Sequence, residues 1–383
     1  MAFAAIGGLG VWWWFRESAP LPIPMAPPLA VHVAAPAVHF KYARCVDIAE
    51  DAGVRVLTVR NPWYPQQAPV RIALVAHGAP KPAGVFDGVM SVPLRRLAVT
   101  STTMLPFLDQ LDAWDALAAC SAAEYAWNPI VRERVKAGTT AAIPPGDGVN
   151  VERLAGLRLD GFAHGGFTPL DGAAMKQLAA LGATPIPVCE YAEPHPLGRA
   201  EWLKVFGALL GRESQAAAAF DGIAARYEQL ATLAKGARRR PTVLVNAPFR
   251  GVWNMPAAGN NFARLLADAG ADYLWAGEPG SQSLALDLEQ VVRRAANAEV
   301  WLNPGMAKSR AEARNIDARL ATFRPLAAGA VWASDRRTAP DGQGNDFWET
   351  AQARPDLYLA DLIAALHPEL LPGHSSVWLR KLP

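Results

Sequence analysis

The sequence predicts an α/β protein of two lobes, each built on a mainly parallel β-sheet, joined by one long helix. The chain has 383 residues, which is long enough for two cores of ordinary size. Short apolar runs alternate with helical patterns on both sides of the middle of the chain, as expected for parallel strands with helical crossovers. One helical pattern, residues 212–233, would be about 33 Å long, enough to cross from one lobe to the other.

In the first lobe, β-branched-rich runs separated by turn signals predict strands, and the alternation continues with helices. The apolar run 94–100 leads into Ser101, Thr102 and Thr103, whose hydroxyls suit the N-cap of a helix over 104–112. The other predicted elements are strands within 40–59 and 70–77 around the turn 61–65, a strand over 159–163, a helix over 169–181 and a strand over 184–188.

The predicted helices over 199–210 and 212–233 link this lobe to a second one of the same type. In the longer helix, apolar side chains recur every three or four residues at Phe220, Ile223, Ala224, Tyr227 and Leu230. The second lobe is then predicted from a strand over 242–245, helices over 260–269 and 288–295, strands over 300–302 and 331–334, and a helix over 357–366.

These patterns divide the chain into four parts: a leader and spacer over 1–36, an N-terminal lobe over 37–198, linking helices over 199–238 and a C-terminal lobe over 239–383. The leader contains an uncharged apolar stretch of 14 residues, 2–15, followed by Arg16 and a Pro/Ala-rich spacer. This is the size of a signal-peptide core and shorter than the roughly 20 residues of a membrane span. We therefore expect a periplasmic or other extracytoplasmic location, with the leader either cleaved or kept as an anchor. A buried N-terminal helix is the alternative, since no Lys or Arg precedes the stretch and no lipobox Cys follows it.

Composition excludes some partners and argues against others. Lys plus Arg number 37 against 35 Asp plus Glu, and the one basic run is 238–240, so nucleic acid is not an expected partner. The three cysteines, Cys45, Cys120 and Cys189, fit no metal-binding spacing and are expected to be buried, with one disulfide left open. The sequence contains no G-x-S-x-G, P-loop or H-E-x-x-H motif. We predict a binding protein without a cofactor rather than an enzyme, although acid and base pairs need no local motif.

Four stretches make the sequence resemble the helical-backbone class of ABC-importer solute-binding proteins, also called the class III or TroA-like periplasmic binding proteins. The resemblance covers roughly residues 90–370 and is carried by PLRRLAV at 93–99 with Thr102 after it, NVERLAGLRLD at 150–160, LEQV at 288–291 and NDFWE at 345–349. It implies two Rossmann-like lobes with a ligand cleft between them, a monomer that captures a metal chelate, and delivery to an ABC permease in the inner membrane.

Two glutamates hold corresponding positions in the two lobes, each at the start of a predicted helix. In the vitamin B12-binding member of the class, such residues pair with arginines of the permease, so the resemblance implies that Glu152 and Glu289 are docking residues. Carboxylates on separate lobes would steer and register the complex. The alternative is that both acids only stabilise the N-termini of their helices.

The ligand is expected at the carboxyl ends of the strands, where loops of both lobes face the cleft. Aromatic rings, hydroxyls and cations at those positions suit a bulky, partly planar and anionic ligand. The candidate contacts are Thr102, Thr103, Tyr125, Trp127 and Glu190 in the first lobe, and Arg250, Trp253, Trp332 and Arg336 in the second. The alternatives are core packing for Trp253 and Trp332, a solvated side chain for Arg250, and a helix-capping role for Asn345 in the end motif.

The most metal-like cluster in the chain is Glu190, Glu193 and His195. A bare metal site would need three or four such ligands to converge, and capping of the helix that follows explains the acids equally well. We therefore predict no bare metal site and a preformed chelate as cargo. A ferric siderophore leads, with a corrinoid or haem as close alternatives, and a sensor or interaction module as a remoter one.

Overall fold

The first sheet begins with a hairpin that the sequence patterns did not separate. The computed structural model describes residues 37–144, 151–165, 170 and 172–383, and the leader lies outside them. Ala52 and Gly53 both have positive φ, 48° and 77°, which is the conformation of a tight hairpin turn. The run 40–59 therefore contributes two strands to a four-stranded sheet in the order β1-β2-β3-β4, made of β1 Val46–Asp51, β2 Val54–Val59, β3 Val70–Ala76 and β4 Gly88–Val92.

The second sheet has five strands, all parallel, in the order β7-β6-β5-β8-β9. It consists of β5 Leu97–Val99, β6 Leu117–Ser121, β7 Ala141–Ile143, β8 Gly161–Gly165 and β9 Thr184–Val188. The helices around it are α1 Leu105–Gln110, α2 Pro129–Lys136, α3 Val151–Ala155 and α4 Gly172–Ala180. The Ser101 hydroxyl accepts a hydrogen bond from the Thr103 amide at 3.2 Å, so the predicted N-cap is confirmed, although it begins a short 3-10 turn rather than α1 itself. The start of the helix predicted over 169–181 lies outside the described residues.

Three helices follow: α5 Pro196–Glu201, α6 Leu203–Leu210 and α7 Glu213–Lys235. The 23-residue α7 buries one face, with Phe220, Ile223, Ala224 and Tyr227 inside as the periodicity predicted and Leu230 half-buried. Gly211 separates α6 from α7 in a left-handed conformation with φ 67°, which ends the preceding helix without a steric penalty. The elements before α5 are called the first lobe below, and those after α7 the second lobe.

The second lobe holds a five-stranded sheet, β13-β10-β15-β16-β17, that is parallel except at the edge strand β17, and a three-stranded antiparallel sheet, β11-β12-β14. Its strands are β10 Thr242–Val245, β11 Pro248–Phe249, β12 Val252–Pro256, β13 Asp272–Tyr273, β14 Ser283–Asp287, β15 Val300–Leu302, β16 Val331–Ala333 and β17 Arg380–Lys381. Its helices are α8 Asn261–Asp268, α9 Leu288–Ala295, α10 Arg310–Asn315, α11 Arg324–Ala328, α12 Asp346–Glu349 and α13 Pro355–Leu366.

The predicted fold class is confirmed: two α/β parts with mainly parallel sheets and one long helix between them in the chain. The antiparallel sheet of the second lobe was not predicted. Cys45, Cys120 and Cys189 are all buried and unpaired, as expected for small apolar residues. Within the described ranges, no helix combines the length and the apolar character that a membrane crossing requires.

Two glycines on the linking helices test how tightly α6 packs on α7. A Cβ on Gly207 in α6 would lie 2.5 Å from the Ala216 Cβ on α7, whereas a Cβ on Gly222 in α7 would meet nothing within 4 Å. We expect Gly207→Ala to lower the free energy of unfolding by about 1–3 kcal/mol through overpacking. Gly222→Ala should raise it by about 0.5–1 kcal/mol through helix propensity.

Denaturant unfolding of the two variants beside the unmodified protein measures both effects. Equal stability of the two variants would contradict close packing of α6 on α7.

Candidate ligand-binding cleft

A cavity of about 390 Å³ lies between the two lobes. This is within the size range of small-molecule sites, which is about 300–1,000 Å³. Its wall combines residues from both lobes and from the linking helix α5: Trp63 and Tyr191 from the first lobe, Pro196 and Arg199 from α5, and Asn246, Pro256, Asn260, Asn261, Phe262, Leu265, Ser283, Asn303, Phe347, Trp348, Ala351, Gln352, Pro355 and Tyr358 from the second lobe.

Three of the helices that line the cavity with apolar side chains are α5, through Pro196, α8, through Phe262 and Leu265, and α13, through Pro355 and Tyr358. The long helix α7 packs against all three but contributes no residue to the lining. It therefore supports this side of the cavity without touching what would be bound there. Within the described residues, the gap that the predicted two-lobe arrangement requires is present.

Asn246 and Asn303 enter the cavity from the ends of two neighbouring parallel strands, since Val245 of β10 pairs with Leu302 of β15. Both asparagines have positive φ, 62° and 56°, a conformation that asparagine tolerates better than most residues. The Asn246 side-chain amide donates to the Asn254 carbonyl at 2.7 Å, and the Ser334 hydroxyl donates to the Asn303 side-chain oxygen. Both side chains are thereby held in place at the strand ends where α/β proteins bind ligands.

These two asparagines were not among the predicted ligand contacts. A signal for them was present in the sequence: one strand ends in Val-Asn-Ala-Pro at 245–248 and its neighbour in Leu-Asn-Pro-Gly at 302–305. The repeated pattern of an apolar strand, then Asn, then a Pro-containing turn marks equivalent positions at the same edge of one sheet.

Arg199 is the cation of the cavity lining, and its charge is already paired. Its guanidinium lies 3.4 Å from a carboxylate oxygen of Glu190 and donates to the Gln352 side-chain oxygen at 2.5 Å. Burial lowers the pKa of Arg199, and the Glu190 charge opposes that effect. Glu190 also accepts a hydrogen bond from the Thr103 hydroxyl at 3.0 Å.

Thr103 and Glu190 therefore act on the cavity through Arg199 rather than by direct contact. Glu190 is buried, and neither it nor Thr103 is part of the lining. Thr102 begins the same 3-10 turn and is also absent from the lining. Ligand contact by these three residues stays a prediction; in this structure Glu190 and Thr103 support the guanidinium that lines the cavity.

None of the four residues predicted in the second lobe lines the cavity. Trp253 is fully buried, packs against Trp301 at 5.9 Å between ring centroids, and donates its indole N–H to the Val245 carbonyl at 2.8 Å. It therefore has the core position that the alternative interpretation expected. Trp332 is half-buried on β16 with the Lys381 ammonium 5.9 Å from its ring, and Arg336 is exposed.

Arg250 lies at the tip of the β11–β12 hairpin, at the end of the small sheet remote from the cavity-lining residues Pro256 and Ser283. Its backbone φ is 51°, and its side chain borders a surface depression that also contains Glu289. Arg250 therefore lies beside the predicted docking residue, and its ligand role stays a prediction.

Trp127 belongs to a contact between the lobes, Tyr125 lies two residues before it, and neither lines the cavity. Tyr125 is half-exposed, and the Arg337 guanidinium lies 4.1 Å from the centre of the Trp127 ring. The buried Glu349 carboxylate accepts hydrogen bonds from the backbone amides of Trp127 at 2.7 Å and Asn128 at 3.1 Å.

Three further contacts extend this inter-lobe contact. Arg132 of the first lobe pairs with Asp341 of the second. Gly344 approaches so closely that a Cβ there would lie 2.8 Å from the Ala126 carbonyl oxygen. The helix α12, which carries Phe347 and Trp348 into the cavity, also packs on the 3-10 turn Thr102–Met104. The end motif NDFWE therefore contributes both cavity lining and lobe contact, and Asn345 caps α12 as the alternative reading expected.

Glu193 and His195, two members of the predicted metal-like cluster, accept hydrogen bonds from groups of the protein itself. The Glu193 carboxylate accepts hydrogen bonds from the amides of Arg44 and Cys45 and from the Trp202 indole at 2.7, 3.0 and 2.9 Å. His195 accepts from the Leu197 amide at 3.0 Å and caps α5. In the described ranges, no three His, Cys, Asp or Glu side chains converge in a way that could hold a metal.

Fold and cleft together define an α/β ligand-binding protein with its site between two lobes. Residues 97–322 match the family model of the periplasmic binding proteins, and the chain belongs to this family. Among curated relatives, the uncharacterized lipoprotein MJ0878 of Methanocaldococcus jannaschii is 25% identical over 204 residues, 52% of this chain and 46% of that protein. The uncharacterized lipoprotein MJ0872 of the same organism is 26% identical over 316 residues, 78% of this chain and 77% of that protein. The chain thus spans less than half the length of the first of these relatives.

Solved structures show the same fold. A periplasmic heme binding protein from Pseudomonas aeruginosa aligns with a TM-score of 0.58 and 18% identity over 76% of this chain and 98% of that one. The heme-binding protein BhuT with two hemes gives 0.55 and 15%, over 72% and 98%. CeuE of Helicobacter pylori in a Ni-His complex gives 0.56 and 14%, over 83% and 90%. These matches confirm the fold predicted from the sequence, and the family model confirms the resemblance to periplasmic binding proteins.

The buried carboxylate at the lobe contact gives a prediction about pH. Burial raises the pKa of Glu349 from its ordinary value of 4.5 to about 7, against the lowering effect of the two backbone amides, and the charges of Asp346 and Asp109 raise it further. A raised pKa means that the folded state loses stability as pH rises from about 4.5 through 7. In the unmodified protein, the free energy of unfolding should therefore fall between about pH 4.5 and pH 7 as Glu349 ionises. We expect Glu349→Gln to lack this fall, because glutamine does not ionise.

Denaturant unfolding at pH 5, 6, 7 and 8 measures this dependence. The exposed Glu133→Gln on α2 is the control and should keep the dependence of the unmodified protein. An unchanged pH profile in Glu349→Gln would show that the carboxylate is not the group that titrates.

Proposed function

We propose that the protein is the solute-binding component of an ABC importer, which captures a metal chelate in the inter-lobe cleft outside the cytoplasm and delivers it to a membrane permease. The observation that carries the proposal is the cavity between the lobes, with six aromatic rings and five side-chain amides in its lining. Membership of the periplasmic binding protein family supports this role, and the lipoprotein relatives support an extracytoplasmic location.

A chelate fits the cleft better than a bare metal ion. Among the described residues, the lining contains no His, Cys, Met, Asp or Glu side chain, and its two phenols, Tyr191 and Tyr358, are fewer than the three or four ligands of a bare metal site. A ligand that brings most of the atoms coordinating its own metal therefore fits better. Stacking surfaces are supplied by Trp63, Tyr191, Phe262, Phe347, Trp348 and Tyr358. The solved relatives described as heme-binding, or as a complex with nickel and histidine, support a ligand of this general kind.

The choice of chelate follows from the amides. Asn246, Asn260, Asn261, Asn303 and Gln352 offer both donors and acceptors, which suit a ligand whose periphery carries carbonyl or amide groups. We propose a ferric siderophore as the cargo. A corrinoid is the second candidate, because it also carries peripheral amides. Haem is the third, because its two carboxylates would need cations and the one cation that the described residues place in this lining, Arg199, is already paired with Glu190.

Docking to the permease is proposed through Glu152 and Glu289. Both are exposed and lie in the first turn of a helix, α3 in the first lobe and α9 in the second. Glu289 is 3.6 Å from Arg319, but an exposed pair of this kind contributes little stability and can be exchanged for a partner's arginine. Phe249 and Ile316 are exposed beside it and would add apolar contact.

Ligand capture is tested with tryptophan fluorescence, because Trp348 lines the cavity and is 61% exposed. Ferrichrome, ferric enterobactin, cyanocobalamin and haemin serve as the probes. We expect a ferric siderophore to quench the emission with saturation, and Trp348→Ala to weaken its binding about tenfold, equivalent to about 1.4 kcal/mol of lost stacking.

Trp332→Phe is the control, because Trp332 is half-buried and does not line the cavity; this variant should bind normally. If none of the four probes binds below 100 µM, a level on the order of weak nonspecific association, capture of these chelates is excluded.

Docking is tested by reversing both charges. We expect Glu152→Lys combined with Glu289→Lys to abolish stimulation of permease ATPase activity in proteoliposomes while leaving ligand affinity unchanged, because both residues lie outside the cavity lining. Glu133→Lys with Glu369→Lys reverses one exposed carboxylate on each lobe elsewhere and should keep the stimulation. If the variant with Glu152→Lys and Glu289→Lys stimulates the permease fully, these glutamates are not part of the docking interface.

A further inference from the structure

We infer that Arg44 and Arg60 form a carboxylate-binding subsite at the edge of the cleft, where anionic groups of the bound chelate would be held. The inference deepens the proposed function and rests on it for the nature of the whole ligand. The subsite itself follows from the geometry of a second cavity and from the charges around it.

The second cavity has a volume of about 420 Å³ and adjoins the first. Two pairs of adjacent residues are divided between the two linings, Pro62 and Trp63 and also Tyr191 and Ala192, and Ser281 and Ser283, two positions apart, are divided in the same way. The wall between them is the edge-to-face pair of Trp63 and Tyr191, with ring centroids 4.8 Å apart. A ligand stacked on these rings in the first cavity therefore has its edge at the second.

The two arginines are held on a fixed backbone at this position. Val46 pairs with Val59 in the β1–β2 hairpin, and the ladder continues with a 2.7 Å hydrogen bond from the Arg60 amide to the Cys45 carbonyl. Arg44 is the next residue along, and its own amide donates to the buried Glu193 carboxylate at 2.7 Å. Arg60 is thus opposite Cys45, Arg44 precedes Cys45 in the chain, and both arginines line the second cavity from the end of the hairpin, where hydrogen bonds hold the backbone.

No carboxylate neutralises this pair in the described part of the chain. The lining of the second cavity has no acidic residue, and neither guanidinium forms an ion pair there; Arg44 donates only to the Ala43 carbonyl, at 3.1 Å. By contrast, Arg55 on the same hairpin forms an ion pair with Glu213 at the start of α7. The nearest acid, Glu193, is buried with its carboxylate bound by three donors, and burial raises its pKa.

The surrounding surface suits a bound anion. Prolines 62, 65, 69 and 194 form much of the wall and fix its shape, while Asn61 and Gln67 add amide groups. Arginine is the side chain best suited to carboxylates because its planar fork can donate two parallel hydrogen bonds. The aromatic cavity would hold the body of the chelate, and the arginine cavity its charged edge.

Citrate tests the subsite without reference to the chelate. In NMR spectra of the full chain with ¹⁵N-labelled arginine, we expect citrate at low millimolar concentration to shift the side-chain Nε–H signals of Arg44 and Arg60, and added chloride to reverse the shifts. Arg44→Gln with Arg60→Gln should weaken citrate binding at least tenfold. Arg238→Gln, at an exposed arginine beyond α7, should leave it unchanged.

Haemin and its uncharged dimethyl ester then test the role of the subsite in ligand binding. If both porphyrins bind, the double variant should lose affinity for haemin and keep it for the ester. If neither porphyrin binds but citrate still shifts the two arginine signals, haem is rejected as cargo and the carboxylate subsite is supported. Absence of citrate shifts at the two arginines, or equal shifts across all arginines, would overturn the subsite whatever chelate the cleft binds.

Discussion

The arrangement of the cleft depends on the packing of α7 against α5, α8 and α13. Each of these three helices places side chains in the cavity wall, and α7 contacts all of them from outside the lining. The contact is made by a single apolar face that includes Phe220, Ile223 and Tyr227. Because the helix is continuous over 23 residues, the lobes share one stiff support. Motion between them would have to come from small shifts of packed helices rather than from a flexible hinge.

Buried carboxylates that accept hydrogen bonds from backbone amides stabilise this structure in several places. Glu201 accepts hydrogen bonds from the amides of Lys41, Tyr42 and Ala43, and Glu193 continues with Arg44 and Cys45. Asp361 on α13 binds the amides of Val377, Trp378 and Leu379. Each carboxylate holds a run of backbone amides from a distant part of the chain. Irregular segments beside the cleft therefore keep a defined path, since each buried charge has its hydrogen bonds satisfied.

The same device joins the two lobes at the edge of the site. Glu349 lies at the end of α12, just after the two aromatic residues that line the cavity, and binds first-lobe amides more than 200 positions earlier in the chain. A change in lobe separation would thus move Trp348 relative to Trp63 on the opposite wall. Ligand contact and lobe contact are coupled through one short helix. Apart from the paired Arg199, neutral and aromatic groups line this cavity, and Arg44 and Arg60 line the second one.

The sequence by itself determined the fold class, the long helix and the bounds of several elements, because these follow from local periodicity and turn chemistry. Strands 184–188, 242–245 and 300–302 and helix 288–295 coincide with the structure. The hairpin at Ala52 and Gly53 was missed although Gly53 is a turn signal, because alanine rarely adopts the left-handed conformation that Ala52 has here.

Only the tertiary structure decided the site. Three features follow from how segments pack in the folded chain. Trp253 is buried against Trp301, Glu190 is buried beside Arg199, and Asn246 lies next to Asn303 at the ends of neighbouring strands. An aromatic or charged residue after a strand has the same local sequence whether it faces the core or the cleft. Its direction is set by packing between segments that are far apart in the chain, and local patterns carry no record of that packing.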